Sequence, residues 1–361
     1  MPKKKSFIRS ANALLFTRRE LVFTVAAVCI LILIVLPVIL HNTFKVSLKE
    51  DFRLPYANRD NYYLYARCAG FETGRSKYIF LGDSAIWGMY ASNQGTLPEQ
   101  VNKLLGKKYC GNLAIDGLHP VAMKTLMESF GQSIRGKKVL LYFNPLWVNS
   151  TKYDLSGTEP YTVNHPELVP QFGGIKSYDA KFDKKVSILL DRYVPFYSIK
   201  RHWQNCFYSN SDFKSLLIKN DFCSIADPVK TIICPEEKDH KGSTENYLSK
   251  GISLQHWEWV DLKDSRQFAA LIAAAKLLQE RGNQVQVMIG TINPGLLDES
   301  TQKGLSALRK EAANLLKENS IPSIMLPEID AKLYADASHP LESGYAEQAK
   351  FLVDQKFITK D

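Results

Sequence analysis

The sequence lacks the motifs that nucleotide and metal chemistry require. It has no Walker A motif, no Gly-x-Gly-x-x-Gly after a predicted strand, and no Cys-x-x-Cys pair or His-rich spacing that could form a zinc site. We therefore predict no cofactor and no metal. Internal repeats and low-complexity tracts are also missing, and with 45% hydrophobic residues the chain has ample material for a globular core.

Cysteine is scarce, with six residues in a chain of 361. Cys29 lies within a long apolar run, which leaves an odd number of cysteines outside that run, so at least one thiol stays unpaired. A disulfide among the three cysteines that cluster between 206 and 234 is favoured, and the other pairings stay open. The cysteines outside the apolar run are Cys68, Cys110, Cys206, Cys223 and Cys234.

Acidic residues are fewer than basic ones, and the formal net charge is +9. Residues 1–20 hold six basic residues and one acidic residue, which is more than half of the excess. The positive charge on the rest of the chain is too dilute to indicate a nucleic-acid surface. We therefore predict no nucleic-acid partner.

The basic N-terminal segment precedes a run of uncharged residues, 21–40, that is long enough to span a bilayer as a helix. The excess of basic residues before this run predicts a cytoplasmic N-terminus. The residues that follow, starting at His41, fit signal-peptide cleavage poorly. The sequence thus predicts a cytoplasmic basic tail over 1–20, a single transmembrane anchor over 21–41 and an extracytoplasmic remainder.

Strand and helix patterns alternate after a polar connector predicted over 42–76. This alternation indicates an α/β fold in which a parallel five-stranded sheet is covered by helices on both faces. The predicted strands are 77–81, 109–115, 138–143, 285–289 and 321–326. The predicted helices are 96–105, which opens on a capping box at Thr96 and Glu99, and 121–134, 268–278, 305–315 and 341–357.

Residues from about 150 to 260 interrupt the alternation and form an aromatic-rich insertion between the third and fourth strands. The insertion either caps the domain and buries its own aromatic side chains or overhangs the strand ends and shapes a substrate groove. The sequence leaves both roles open. The residues that could line such a groove are Trp147, Tyr161, His165, His256 and Trp257.

Two polar motifs lie where strands and helices meet. Ser84 closes a Gly-Asp-Ser triplet at the end of the first predicted strand, where a simple turn would also explain it. Asp336 and His339 are three residues apart just before the last helix, so they can contact each other across a turn. Because a serine hydroxyl needs a base, commonly a histidine oriented by a carboxylate, we predict a Ser84–His339–Asp336 triad.

These motifs, in this order, resemble those of the SGNH (GDSL-type) hydrolase superfamily. That family has a Gly-Asp-Ser nucleophile after the first strand and an Asp-x-x-His pair before the last helix. The resemblance covers about residues 77–357. It implies an SGNH-like (flavodoxin-like) three-layer sandwich, a catalytic domain over 77–361, and a serine hydrolase or acyltransferase that acts on ester bonds. It also implies an oxyanion hole formed by the N–H groups of Ser84 and Gly117 and the side chain of Asn144.

One block of the family pattern is altered. The usual Gly-x-Asn-Asp after the third strand is absent, and the strand ends instead in Asn144-Pro-Leu-Trp147. Gly290-Thr-Ile-Asn293 looks closer to the motif but follows the fourth strand. We favour Asn144 as the donor over a missing or substituted one. Asp83, Trp87 and Trp147 are predicted to contact substrate.

The Pro-x-Trp ending and the predicted anchor look like those of membrane-anchored SGNH proteins of bacterial cell-envelope acylation. These are the DltD-like proteins of teichoic acid D-alanylation and the alginate O-acetylation proteins, which work beside a polytopic membrane O-acyltransferase. The resemblance implies an inner-membrane protein with an extracytoplasmic, periplasmic-side esterase or O-acyltransferase domain. Its substrates would be D-alanyl or acetyl esters of an envelope polymer, or an acylated lipid or carrier. A catalytically weak scaffold for the membrane acyltransferase is the alternative, and a lipase is a third possibility.

Overall fold

The computed structural model describes residues 17–43, 48–178, 180–207 and 242–360. These residues include a sheet of five parallel strands. The strands are β1 Tyr78–Leu81, β2 Cys110–Asn112, β3 Lys138–Phe143, β4 Gln284–Ile289 and β5 Ser323–Met325. Each falls within a few residues of a predicted strand, so the predicted α/β class with a parallel five-stranded sheet is confirmed.

Helices lie between the strands and at the N-terminus. Their bounds are α1 Arg18–Ile30, α2 Leu36–Thr43, α3 Tyr62–Arg75, α4 Ser84–Trp87, α5 Leu97–Leu105, α6 Pro120–Ser129, α7 Phe182–Tyr193, α8 Pro195–Phe207, α9 Arg266–Glu280, α10 Glu299–Glu318 and α11 Glu342–Asp354. A π-helical turn, Leu31–Val35, joins α1 to α2. Helices α7 and α8 lie in the predicted insertion, and residues 208–241 of that insertion are outside the described part of the chain.

The sheet separates two apolar cores because successive side chains of a strand point to opposite faces. Ile79 and Leu81 of β1 join the core that α3, α6, α9 and α10 cover. Tyr78 and Phe80 of the same strand join the core that α5 and α11 cover. Helices therefore cover both faces of the sheet, and the near-continuous apolar sequence of β1 is explained by its burial on both sides.

The strand order determines where a ligand would bind. The order is β2-β1-β3-β4-β5, so the chain leaves β1 toward one edge to form β2 and then returns to the other side to form β3. In doubly wound sheets of this order the crevice lies at the carboxyl ends of the strands, where the order reverses. The segments that follow β1, β2 and β3 meet at that point.

Among the described residues, one helix is long and apolar enough to cross a membrane. It comprises Arg18–Ile39, and an 18-residue window within it has a mean hydropathy of 3.2 and is 6% buried. It meets the rest of the protein at α8, which contacts both α2 and the π-helical turn. An apolar helix at the predicted position is therefore present, and its orientation across a membrane stays a prediction.

Three local predictions need correction. The predicted connector over 42–76 contains α3, whose Tyr65 and Cys68 are buried in the core. Thr96 precedes α5 without capping it through its side chain, and Glu99 instead binds Lys108. The helix predicted to end at Ile134 ends at Ser129.

The cysteine predictions are tested only in part. Cys68 and Cys110 are both buried, and Cys110 is a free thiol. The favoured disulfide among the three clustered cysteines falls on Cys223, Cys234 and the side chain of Cys206, which lie outside the described residues.

Candidate active site

A sharp turn carries the chain from β1 into the short helix α4. Asp83 is the N-cap of α4, and its side chain accepts a hydrogen bond from the Ala85 N–H at 3.0 Å. A Cβ atom on Gly82 would lie 2.7 Å from Cγ1 of Ile86 and 3.0 Å from Cβ of Tyr142. Only glycine therefore fits between the end of β1 and α4. This close approach places Ser84, two residues further on, at the first position of α4.

The three predicted triad residues lie in one hydrogen-bonded chain. The Ser84 Oγ atom is 2.7 Å from Nε2 of His339. Nδ1 of the same imidazole is 2.8 Å from both carboxylate oxygens of Asp336. When Nδ1 donates to the carboxylate, Nε2 is left as the acceptor that can take the serine proton. The arrangement is that of a nucleophile, a general base and a group that orients the base.

The loop before α11 is built to hold this histidine. One carboxylate oxygen of Asp336 accepts the N–H groups of Ser338 and His339, each at 3.0 Å. The buried Asn293 supports the same loop from behind, because its N–H donates to Ala337 at 2.8 Å and its side-chain amide donates to the Asp336 carbonyl at 3.2 Å. The Gly290–Asn293 segment thus supports the triad loop rather than supplying the predicted third family block.

The two ends of the site are joined by a second contact. The buried hydroxyl of Tyr345, on α11, donates to the carbonyl oxygen of Ala85 at 2.6 Å. This bond ties the helix that follows His339 directly to the helix that carries Ser84. The distance between base and nucleophile therefore depends on a buried tether, not only on the flexible ends of two loops.

The charges around the imidazole favour its protonated form. Burial alone would lower the pKa of His339, but the hydrogen bond and charge of Asp336, with the charges of Asp83 and Asp116, raise it above its usual value. Burial would likewise raise the pKa of Asp336, but the bond and charge of His339 and two backbone N–H groups hold it below its usual value. The pair is therefore set up to stabilise an imidazolium next to a carboxylate.

Asp83 lies beneath the site as a shared acceptor. Its second carboxylate oxygen accepts the side-chain amide of Asn144 and the indole N–H of Trp147, both at 2.8 Å. Burial raises the pKa of Asp83, and these donors oppose the rise. Asp83 and Trp147 are only 2% and 6% exposed. The sequence predicts that both contact substrate, whereas the structure places them beneath the site, where they support it.

All three predicted oxyanion donors stay available in this geometry. Asn144 gives one amide hydrogen to Asp83 and keeps a second. Gly117 follows β2 with a φ of 73°, a conformation that favours glycine, and its N–H has no acceptor within the described residues. The N–H of Ser84 has no intrahelical acceptor, because Ser84 is the first residue of α4.

Trp87 lies away from solvent, in contrast to the prediction that it contacts substrate. It is 1% exposed, its indole N–H donates to the Leu54 carbonyl at 2.7 Å, and the Arg53 guanidinium stacks over its ring at 4.1 Å. The same guanidinium donates to the carbonyl oxygens of Trp87, Gly88 and Ala91. Trp87 thus anchors the end of α4, and a substrate cannot reach it in this conformation.

The other candidates from the insertion separate into two groups. His165 is buried near the site, and its Nε2 atom lies 2.7 Å from the carbonyl oxygen of Asp116. Tyr161 meets the ring of Tyr153 edge-on, at 5.7 Å between ring centroids. His256 instead contacts Asp298, the N-cap of α10, through its side chain. The backbone N–H of Trp257 donates to the hydroxyl of Thr301, within α10.

Sequence reasoning missed Tyr90, which lies beside the imidazole, and Lys250, which lies over the ring of Tyr90. The ring of Tyr90 meets the ring of His339 edge-on at 5.7 Å. The exposed Lys250 places its ammonium 3.7 Å from the centroid of the Tyr90 ring. No motif marks either residue, because they are 160 residues apart and meet only when the end of the insertion packs against Tyr90.

Comparison with models of known protein families finds no match for this chain, and comparison with curated proteins finds none either. Across the described ranges, no cluster of three or more His, Cys, Asp or Glu residues has an arrangement that could hold a metal ion. A functional assignment therefore rests on the geometry of the site itself.

Proposed function

We propose that this protein is a membrane-anchored serine esterase or O-acyltransferase of the SGNH type, with Ser84 as nucleophile. The observation that carries the proposal is the continuous hydrogen-bonded chain from Ser84 through His339 to Asp336. Its position at the carboxyl ends of the strands, where the sheet order reverses, is a further support.

The reaction would proceed in two halves. The Ser84 oxygen attacks an ester carbonyl while its proton passes to Nε2 of His339, and the resulting oxyanion accepts hydrogen bonds from the N–H groups of Ser84 and Gly117 and the free amide hydrogen of Asn144. Collapse of this intermediate breaks the bond to the alcohol, which leaves with the proton from His339. An acyl ester on Ser84 remains.

The second half decides between hydrolase and transferase. Water as acceptor releases a carboxylic acid, and a polymer hydroxyl as acceptor forms a new ester. In both cases the bond between the acyl group and Ser84 breaks, and the acceptor's proton passes through His339 to the Ser84 oxygen. The acyl group that we favour is D-alanyl or acetyl, on a cell-envelope polymer or on a lipid or carrier. This choice, the polytopic O-acyltransferase partner and the extracytoplasmic side of the bacterial inner membrane all rest on the resemblance to envelope acylation proteins.

A scaffold without substantial turnover is the second candidate, and one observation favours it. The Asn144 amide is committed in part to Asp83 through a 2.8 Å bond, whereas a dedicated oxyanion donor would keep its amide directed at the substrate. In this reading the fold serves to bind a membrane acyltransferase. We prefer the enzyme because a scaffold has no need of an imidazole held between Ser84 and Asp336.

The test is covalent labelling of the full-length chain in detergent with a fluorophosphonate, read by intact mass. We expect a single adduct on the wild type and none on Ser84→Ala, because the reagent reacts with a serine whose proton a base removes.

A matched control is Ser338→Ala, which removes a neighbouring serine of the triad loop while its backbone N–H bond to Asp336 stays in place. This variant should still be labelled. A folded wild type that takes up no reagent, or an adduct that persists in Ser84→Ala, would rule out the enzyme and leave the scaffold.

A further inference from the structure

The helix α7 exposes an apolar stripe. Phe182, Val186 and Tyr193 are 74%, 37% and 69% exposed. Spacings of four and seven residues place these three side chains on one face of the helix. Lys181 and Lys184 lie at the start of the same helix and are exposed as well.

The position of the neighbouring helix indicates what covers this stripe. Helix α8 follows α7 directly and contacts the π-helical turn Leu31–Val35. That turn lies inside the apolar helix Arg18–Ile39, four to eight residues before its end. At a rise of 1.5 Å per residue this is about 6 to 12 Å along the helix. Helix α8 also contacts α2, Leu36–Thr43, which contains the end of the apolar helix. When the apolar helix crosses a bilayer, α8 therefore lies against the stretch where that helix passes from the acyl chains to the headgroups, and α7 packs against α8.

We propose that α7 lies in the membrane interface, with Phe182, Val186 and Tyr193 at the boundary between headgroups and acyl chains. The occupant of the stripe is the lipid bilayer itself. Lys181, the exposed N-cap of α7, extends toward the phosphates of anionic lipids, as the lysines that flank amphipathic interfacial helices do. The surface is continuous with the predicted anchor, so one membrane holds both.

The test uses the full-length chain in vesicles of phosphatidylcholine and phosphatidylglycerol that contain a phospholipid with a photoreactive diazirine on its acyl chain. Peptide mapping should find crosslinks in residues 182–193 as well as in the apolar helix. In the variant F182S/V186S/Y193S the crosslinks in α7 should fall at least fivefold, while those in the apolar helix persist.

Leu104, half-exposed on α5, is the matched control: Leu104→Ser should leave the crosslink pattern unchanged. Wild-type crosslinks confined to the apolar helix overturn the proposal. The proposal is also overturned if α7 is labelled in vesicles that hold this chain alone but loses that labelling when a second membrane protein is added. A protein would then be the natural occupant of the stripe.

A second, independent observation concerns the peptide group between Asp116 and Gly117. The His165 imidazole is 4% exposed, and its Nε2 atom is 2.7 Å from the carbonyl oxygen of Asp116. That carbonyl and the Gly117 N–H belong to the same planar trans peptide and point in opposite directions. A bond that fixes the carbonyl therefore fixes the direction of the N–H.

The other side of the imidazole is held too. Nδ1 of His165 lies 2.9 Å from the Tyr62 hydroxyl and 3.2 Å from a carboxylate oxygen of Asp60. Because a carbonyl oxygen only accepts, Nε2 must carry a hydrogen and donate it to Asp116. The backbone of His165 has a φ of 52°, an uncommon conformation for a residue other than glycine that surrounding structure must maintain.

We infer that His165 is a positioning residue that aims the Gly117 N–H at the oxyanion, an inference that rests on the proposed function. The test is the fluorophosphonate reaction, followed as a maximal labelling rate and an apparent reagent affinity. His165→Leu should lower the maximal rate about 10²-fold, the effect of losing one oxyanion donor, with the affinity within threefold of wild type. His165→Gln, whose amide can donate to the same carbonyl, should recover most of the rate.

The exposed His256 supplies the control, and His256→Leu should label like the wild type. Equal maximal rates for wild type and His165→Leu overturn the inference, as does a Gln variant no better than the Leu variant. In both cases Ser84 remains the labelled nucleophile and the proposed function stands. A wild type that is not labelled at all overturns the proposed function instead.

Discussion

Replacing Asp336 by asparagine is expected to lower the rate of Ser84 labelling by about 10³- to 10⁴-fold, as the loss of the orienting carboxylate does in serine proteases. Both carboxylate oxygens lie 2.8 Å from Nδ1 of His339. An amide at this position can turn its NH₂ toward Nδ1, which selects the tautomer that carries a hydrogen on Nε2. The base then faces the serine with a donor where an acceptor is needed.

The same variant should change the pH dependence. Neutral His339 is the active form, and its pKa lies above the usual value of about 6.5 because Asp336 stabilises the imidazolium. The labelling rate of the wild type should therefore rise with pH through a midpoint above 6.5. In Asp336→Asn this stabilisation is lost, so the midpoint moves to lower pH although the plateau is far lower.

Labelling rates between pH 5 and 9 measure both effects. The control is Asp330→Asn. Asp330 is an exposed aspartate six residues before Asp336, and its side chain accepts the Lys332 N–H. The labelling rate and the pH midpoint of this variant should equal those of the wild type. A wild-type midpoint at or below 6.5, or a loss of less than tenfold in Asp336→Asn, would contradict this account of the site.

Replacing Asp83 by alanine is expected to destabilise the fold by about 3 to 5 kcal/mol, since buried donors are left without an acceptor and a helix cap is lost. The carboxylate receives the Asn144 amide, the Trp147 indole and the Ala85 N–H, and it is almost fully buried. Water cannot replace it for these donors without opening the core. Asp83→Asn retains one acceptor oxygen and should be destabilised less.

Urea unfolding of the full-length chain, followed by tryptophan fluorescence, measures how far each variant lowers the free energy of unfolding below that of the wild type. Asp298→Ala removes an N-cap of similar type, at the start of α10, where the carboxylate is partly exposed. Its loss should destabilise the fold less than the loss of Asp83 does, because an exposed cap leaves no buried donor without an acceptor. Equal destabilisation by the Asp83 and Asp298 variants would show that the buried donors beneath the site find other partners.

Features set by short-range pattern were predictable from the sequence. The five strands are short apolar runs bounded by polar residues, and the structure has a strand at each. The close contact of Asp336 and His339 follows from their spacing of three residues in a turn. The contact between Ser84 and His339 could also be predicted, because the carboxyl ends of parallel strands lie at one edge of the sheet. This part of the prediction depends on the fold and not on the local sequence.

Features set by contacts between distant residues could not be predicted. Trp87 looks like a site residue beside Ser84, yet Arg53 and Leu54 bury it, and nothing in the local sequence marks that pairing. Asn144 was placed correctly after β3, but its bond to Asp83 depends on the register of two neighbouring strands. The role of α3 was missed because its apolar residues are mixed with polar ones and its burial comes from the whole layer.

The tether from Tyr345 to Ala85 has a consequence for the order of events in synthesis. It joins the first strand–helix unit of the domain to the last, and the base lies 255 residues after the nucleophile. While the chain is being made, Ser84 is therefore present before His339, and a product truncated before His339 lacks the contact between the two side chains altogether. Under the proposed function, catalytic activity would arise only once both units are made and joined, so incomplete copies would carry an unactivated serine.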